Sequence, residues 1–213
     1  MILHCLFRGA TLSLSCIILA GGKGLRLGRD KALEKINSLT LVQHSVTTLR
    51  GLGEQIIVVT APGKTDLGLE DFPEVRVVED RDTGKGPLMG IYAGLSASKS
   101  ELNLVVACDM PFLNLELIRF MVSQSEGWDA VIPRVGGLIE PLHAVYRRNI
   151  KEVAAELMAG GAYSLRQLLN KVRVRFIEET EIGLYDPQNL SFFNINFPED
   201  LEKARELFRQ RSS

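Results

Sequence analysis

Five short runs, CIILA (16–20), QIIVVT (55–60), VRVVE (75–79), LNLVVAC (102–108) and DAVIP (129–133), are rich in β-branched residues and nearly continuously apolar. A strand with one face in water alternates apolar and polar residues, whereas a run apolar throughout is buried on both faces. Amphipathic stretches separate the runs. Val42, Val46 and Leu49 share one helical face, as do Leu88, Ile91 and Leu95, and then Ile118, Met121 and Val122. Pro87 suits the first turn of the second helix and Asn114 the cap of the third. Such alternation predicts an α/β fold, a Rossmann-like and mostly parallel sheet with helices on both faces.

The second half continues the pattern. PLHAVY (141–146), VRFIE (174–178) and SFFNI (191–195) read as strands, and SLRQLL (164–169) as a short helix. A helix carrying Ile150, Val153 and Leu157 stops at Gly160-Gly161. NFPEDLEKARELF opens a last helix with Pro198 in its first turn and Asn196 as the expected cap, although Asn194 and Asn196 read equally as residues lining a substrate site. With no linker, repeat or low-complexity tract in 213 residues, one domain is expected over 16–213, preceded by a poorly ordered extension over 1–15.

Composition narrows the partners. A formal net charge of −1 provides no general attraction for nucleic acid or an anionic membrane. Cys5, Cys16 and Cys108 form no metal or disulfide spacing, which points to a reducing, cytoplasmic setting. The N-terminus only superficially resembles a signal peptide. Arg8 and several hydroxyl residues interrupt its apolar stretch, and cleavage at Cys16 would cut into the first strand.

The first run feeds a glycine-rich loop, LAGGKGLRLGRDK (19–31). Such loops bring backbone N–H groups close to phosphate, and several unrelated folds use them. A dinucleotide fingerprint would need an acidic residue at the end of the second strand, but that strand ends Thr60-Ala61-Pro62. A P-loop would need a hydroxyl after its lysine, and Ala32 follows Lys31. Asp109 ends a buried strand, where ligands of open α/β sheets bind. There it is either a magnesium ligand beside a phosphate or a turn cap.

The loop resembles L-A-G-G-x-x-x-R-M-G-x-D-K, the signature of nucleotidyltransferases related to molybdenum cofactor guanylyltransferase, with Leu27 in place of the usual Met. The likeness spans nearly the whole chain from residue 16. CDMP (108–111) is similar to the family's metal-binding motif, and VVEDRDTGKGPLMG (77–90) to its next one. GLIEPLHAVY (137–146) is similar to P-L-x-A-x-Y, and FFNINFPEDL (192–201) to F-x-N-I-N-T-P-E-D-L, with Phe197 where the family usually has Thr. Thr60 stands near where some members carry an asparagine that contacts the nucleotide. His143 reads as a packed core histidine and is given no role.

The resemblance implies a fold of the nucleotide-diphospho-sugar transferase type and transfer of GMP from GTP to the phosphate of molybdopterin, with Mg2+ as cofactor. It implies that the backbone of Leu19, Ala20, Gly21 and Gly22 cradles the nucleotide and that Asp80 contacts it. Arg26 and Lys31 then place positive charge on the phosphates, and Asp109 holds the metal. Transient contact with other cofactor-biosynthesis proteins or molybdoenzymes is the remaining partner expectation. Two rivals stand beside it, a cytidylyl- or sugar-phosphate nucleotidyltransferase of the same fold and a non-catalytic GTP or pterin carrier.

Overall fold

A computed structural model describes residues 5–7, 10–21, 30–64, 66–80 and 84–211. Two short strands, β1 (Cys5–Phe7) and β2 (Ala10–Leu12), pair antiparallel ahead of the main sheet. The central strand β3 (Leu14–Leu19) begins two residues before the expected Cys16. A hairpin of β4 (Lys35–Ile36) and β5 (Leu39–Thr40) leads into α1 (Leu41–Leu49). Then follow β6 (Gln55–Thr60), β7 (Val75–Glu79), α2 (Pro87–Ala97), β8 (Leu102–Ala107) and α3 (Leu115–Ser123). The last third holds β9 (Ala130–Val135), β10 (Leu138–Ile139), β11 (His143–Arg147), α4 (Ile150–Ala159), α5 (Leu165–Leu169), β12 (Val174–Ile177), α6 (Glu179–Ile182) and α7 (Pro198–Arg211).

The eight-stranded sheet has the order β10-β9-β11-β8-β3-β6-β7, with β12 pairing β9. Strands β8, β3, β6 and β7 run parallel, and β11 is antiparallel to β8. Successive side chains of β3 divide between the two faces, as strand geometry requires. Cys16 and Ile18 pack with Val42, Val46 and Leu49 of α1 and with Ile118, Met121 and Val122 of α3. Ile17 packs on the other side with Leu88, Ile91 and Leu95 of α2 and with Ile150 and Leu157 of α4. The helix α2 lies so close to β3 that a Cβ on Gly94 would stand 2.4 Å from Ile17 Cγ2.

Local chemistry sets the helix starts. Thr40 and Gln43 form a reciprocal capping box on α1, Pro87 opens α2, and Asn114 accepts from the Glu116 and Leu117 amides at α3. Helix α4 ends at Gly160. Cys16 and Cys108 are free and buried, and burial pushes the Cys16 thiol up to about 12. Among the described residues no helix is long and apolar enough to cross a membrane.

Three expectations are corrected. SFFNI is no strand, because Leu190–Phe192 form a 3-10 turn whose Leu190 and Ser191 amides donate to the Asp186 carboxylate. A side chain that binds nearby amides in this way competes with a sheet ladder. The PLHAVY strand starts late, at His143, because the His143 amide turns back to the Glu140 carbonyl. At α7 the Asp200 carboxylate accepts from the Asn196 and Phe197 amides, so the Asn196 side chain is free for another role.

Candidate active site

The strand ends bring most of the sequence-predicted residues into one row. Leu19 pairs with Val59 of β6 on one side and Ala107 of β8 on the other. The Ala20 amide donates to Val59 O (2.7 Å), and the Cys108 amide donates to Leu19 O (3.1 Å), which sets Ala20-Gly21 beside Cys108-Asp109. The Asp80 amide donates to Thr60 O (2.7 Å) at the end of β7. Across the carboxyl edge the order is therefore Asp80, Thr60-Ala61, Ala20-Gly21 and Asp109. Three strand spacings separate the two aspartates, about 14 Å.

This is where the chain reverses its direction of travel. From β3 it moves to β6 and β7 on one side, and then returns to β8 on the other. Ligands of open α/β sheets bind in the crevice that such a reversal opens. Gly21 keeps its floor open, since a Cβ there would come within 3.3 Å of the Ala61 amide nitrogen.

Asp30 and Lys31 come back to the row after the loop. Asp30 caps the 3-10 turn Lys31–Leu33 by accepting from the Ala32 amide, and accepts a 2.7 Å ion pair from Lys64. Lys31 Nζ lies 2.9 Å from Asp109 Oδ2 and also donates to Asn196 Oδ1 (2.8 Å). An ammonium has three N–H donors, so among the described residues one is left without a partner. Gly22, expected in the cradle, and Arg26, expected to place charge on the phosphates, lie outside the described residues.

Asp109 fits a hard cation. Its Oδ2 serves Lys31, while Oδ1 is buried with no hydrogen-bond partner among the described residues. A buried carboxylate oxygen is costly to leave unmatched, and an oxygen donor of this kind suits Mg2+. Among the described residues no three His, Cys, Asp or Glu side chains gather into a metal site. Mg2+ usually needs only one or two carboxylates when phosphate and water supply the rest.

Neighbouring groups register the same concentration of charge. Burial pushes the Cys108 thiol up, and the carboxylates of Asp109 and Asp30 push it further, against the pull of Lys31. Burial, then the charge of Asp109, holds the Glu140 carboxyl above its ordinary value. The sequence carries no spacing that ties Lys64 to Asp30, Asn196 to Lys31 or Glu140 to Asp109. Lys64 and Asp30 are 34 residues apart and Lys31 and Asn196 165 apart, and each pair meets only when the sheet is assembled, while Glu140 feels Asp109 only through its charge. Thr60 Oγ1 is likewise buried without a partner among the described residues.

The chain matches the family model of the MobA-like NTP transferase domain over residues 16–176. It is 35% identical over 189 residues to a probable molybdenum cofactor guanylyltransferase of Pelotomaculum thermopropionicum, covering 89% of this chain and 90% of that one. It is 36% identical over 193 residues to a molybdenum cofactor guanylyltransferase of Syntrophotalea carbinolica, with 90% of each covered. Among solved structures, molybdopterin-guanine dinucleotide biosynthesis protein A from Archaeoglobus fulgidus superimposes with a TM-score of 0.80 at 26% identity, over 92% of this chain and 99% of that one.

Proposed function

Because the chain belongs to the MobA-like NTP transferase family, we propose that it transfers GMP from GTP to the phosphate of molybdopterin, giving molybdopterin guanine dinucleotide and pyrophosphate. The single observation that carries the reading is the 2.9 Å contact between Lys31 and Asp109. It joins the residue that closes the glycine loop to the carboxylate at the end of β8, across the crevice where a triphosphate would lie.

In this reading GTP lies along the row of strand ends, with the nucleoside toward Asp80 and the phosphates toward Asp109. The amides of Ala20 and Gly21 approach the phosphates, and the bare Cα of Gly21 permits the close contact. Lys31, held by Asp109 and Asn196, presents its remaining N–H to the same oxygens. Arg26 adds a planar, permanently charged fork.

Asp109 would hold Mg2+, and the ion when bound offsets negative charge on the phosphate oxygens. The acceptor is itself an anionic phosphate monoester, so no serine, cysteine or histidine nucleophile is required. The chain's task is alignment for in-line attack on the α-phosphorus and compensation of the charge that builds on the departing pyrophosphate.

Pyrophosphate release is measured with GTP or CTP, each with and without molybdopterin. Release only with GTP and molybdopterin together is the expected result. Release with CTP instead would make the chain a cytidylyltransferase, and GTP binding with no release would make it a carrier.

A further inference from the structure

We propose that Lys64 is a positioning residue for Lys31, acting through the carboxylate of Asp30. It fixes the turn from which Lys31 reaches the crevice, and it cancels a negative charge next to the phosphates. The inference rests on the reading of Lys31 as a phosphate contact.

Lys64 is held by its own turn. Strand β6 ends at Thr60, and the Lys64 amide donates back to the Ala61 carbonyl (3.1 Å). Pro62 and Gly63 fill the two central positions, with Gly63 at φ +74°. That order suits a type II turn, in which proline presets the second residue and the third takes a positive φ. The Gly63 amide donates to Glu79 Oε1 (3.0 Å), and Glu79 is the last residue of β7, paired with Thr60. The turn is thus tied to two strands.

From that base Lys64 Nζ reaches to 2.7 Å from Asp30 Oδ2. The other oxygen, Asp30 Oδ1, accepts from the Ala32 amide (3.3 Å) and starts the 3-10 turn whose first residue is Lys31. A bond of that length holds a carboxylate loosely. The ion pair on the second oxygen completes the restraint, and Lys31 leaves the turn toward Asp109 and Asn196. The Asp30 side chain is only 18% exposed, so water screens its charge poorly. Lys31 is already matched by Asp109, and Lys64 is the cation that pairs with Asp30 among the described residues. Left unpaired, the Asp30 carboxylate would repel an anionic ligand bound at the next residue.

The test is a double-mutant cycle on GTP affinity, measured by calorimetry in EDTA so that no divalent ion takes part. Lys64→Met should weaken GTP binding about fivefold, the upper end of what a partly exposed ion pair contributes. Asp30→Asn keeps an oxygen for the Ala32 amide and removes the charge. In that background Lys64→Met should change affinity by less than about twofold. Lys64→Gln should behave as Lys64→Met does and carries the test if the Met variant does not fold. Unchanged GTP affinity in either folded variant overturns the proposal. A fivefold loss that persists beside Asp30→Asn also overturns it, because Lys64 would then act on the nucleotide directly. If Lys31→Ala leaves GTP affinity unchanged, the reading of Lys31 fails first and takes this inference with it.

Discussion

His143 should make the stability of this protein fall as the solution is acidified, by an amount that can be worked out in advance. The side chain is fully buried against Phe192, with ring centroids 5.0 Å apart. Asp186 and the Ser191 backbone lie near the ring and favour its charged form, but neither ring nitrogen meets a partner in hydrogen-bonding geometry among the described residues. Burial outweighs them and pulls the imidazole from 6.5 down to about 4. Above pH 6.5 the ring is neutral in both folded and unfolded chains, and the full stability is present. Between 6.5 and 4 the unfolded chain takes up a proton that the native state refuses, so stability is lost as the pH falls. At about 1.4 kcal/mol per pH unit the loss is capped near 3 kcal/mol, and from pH 7.5 to 5.5 it comes to about 1.3 kcal/mol. Urea unfolding followed by circular dichroism at both pH values, for the wild type and His143→Phe, isolates this contribution from every other titration. The stability of the wild type relative to the variant should drop by that amount on acidification. A difference that stays constant with pH would refute the burial argument.

Lys31→Ala should weaken GTP binding by about ten- to a hundredfold, the worth of a charge-assisted hydrogen bond to phosphate, and calorimetry showing unchanged affinity would remove Lys31 from the site. Gly94→Ala should destabilise the protein despite the better helix propensity of alanine. Its Cβ would stand 2.4 Å from Ile17 Cγ2, and overpacking at about 1–3 kcal/mol exceeds a propensity gain of about 1 kcal/mol. A raised urea midpoint would contradict that reading. Asn114→Ala should cost about 1 kcal/mol from the lost cap of α3, and more if the bond from its side-chain amide to the Tyr185 carbonyl counts. An unchanged midpoint would mean that water replaces both.

The fold was largely legible because apolar runs mark the strands, although VRVVE, expected to be buried on both faces, forms the sheet's edge strand β7 and is only partly covered. QIIVVT and VRVVE bound β6 and β7 to the residue, and the apolar faces of α1, α2 and α3 are the ones that the core covers. Errors fell where a side chain overrides the local pattern. Asp186 draws SFFNI into a turn, and Asp200 takes the capping duty expected of Asn196. The row of candidate residues was legible where they lie at or just past a strand end, as Leu19, Ala20, Gly21, Asp80 and Asp109 do. Lys64 and Asn196 join that row only through tertiary approach, and nothing in their neighbours' spacing records the partner.

The account turns on where a divalent ion and a triphosphate sit relative to Asp109. A crystal of this protein grown with Mn2+ and α,β-methylene GTP, with diffraction data collected at the manganese edge, locates the ion directly. The prediction is an anomalous peak at bonding distance from Asp109 Oδ1 and from phosphate oxygens, with the nucleotide lying along the strand ends toward Asp80. A nucleotide bound elsewhere, or an ion with no contact to Asp109, would contradict it.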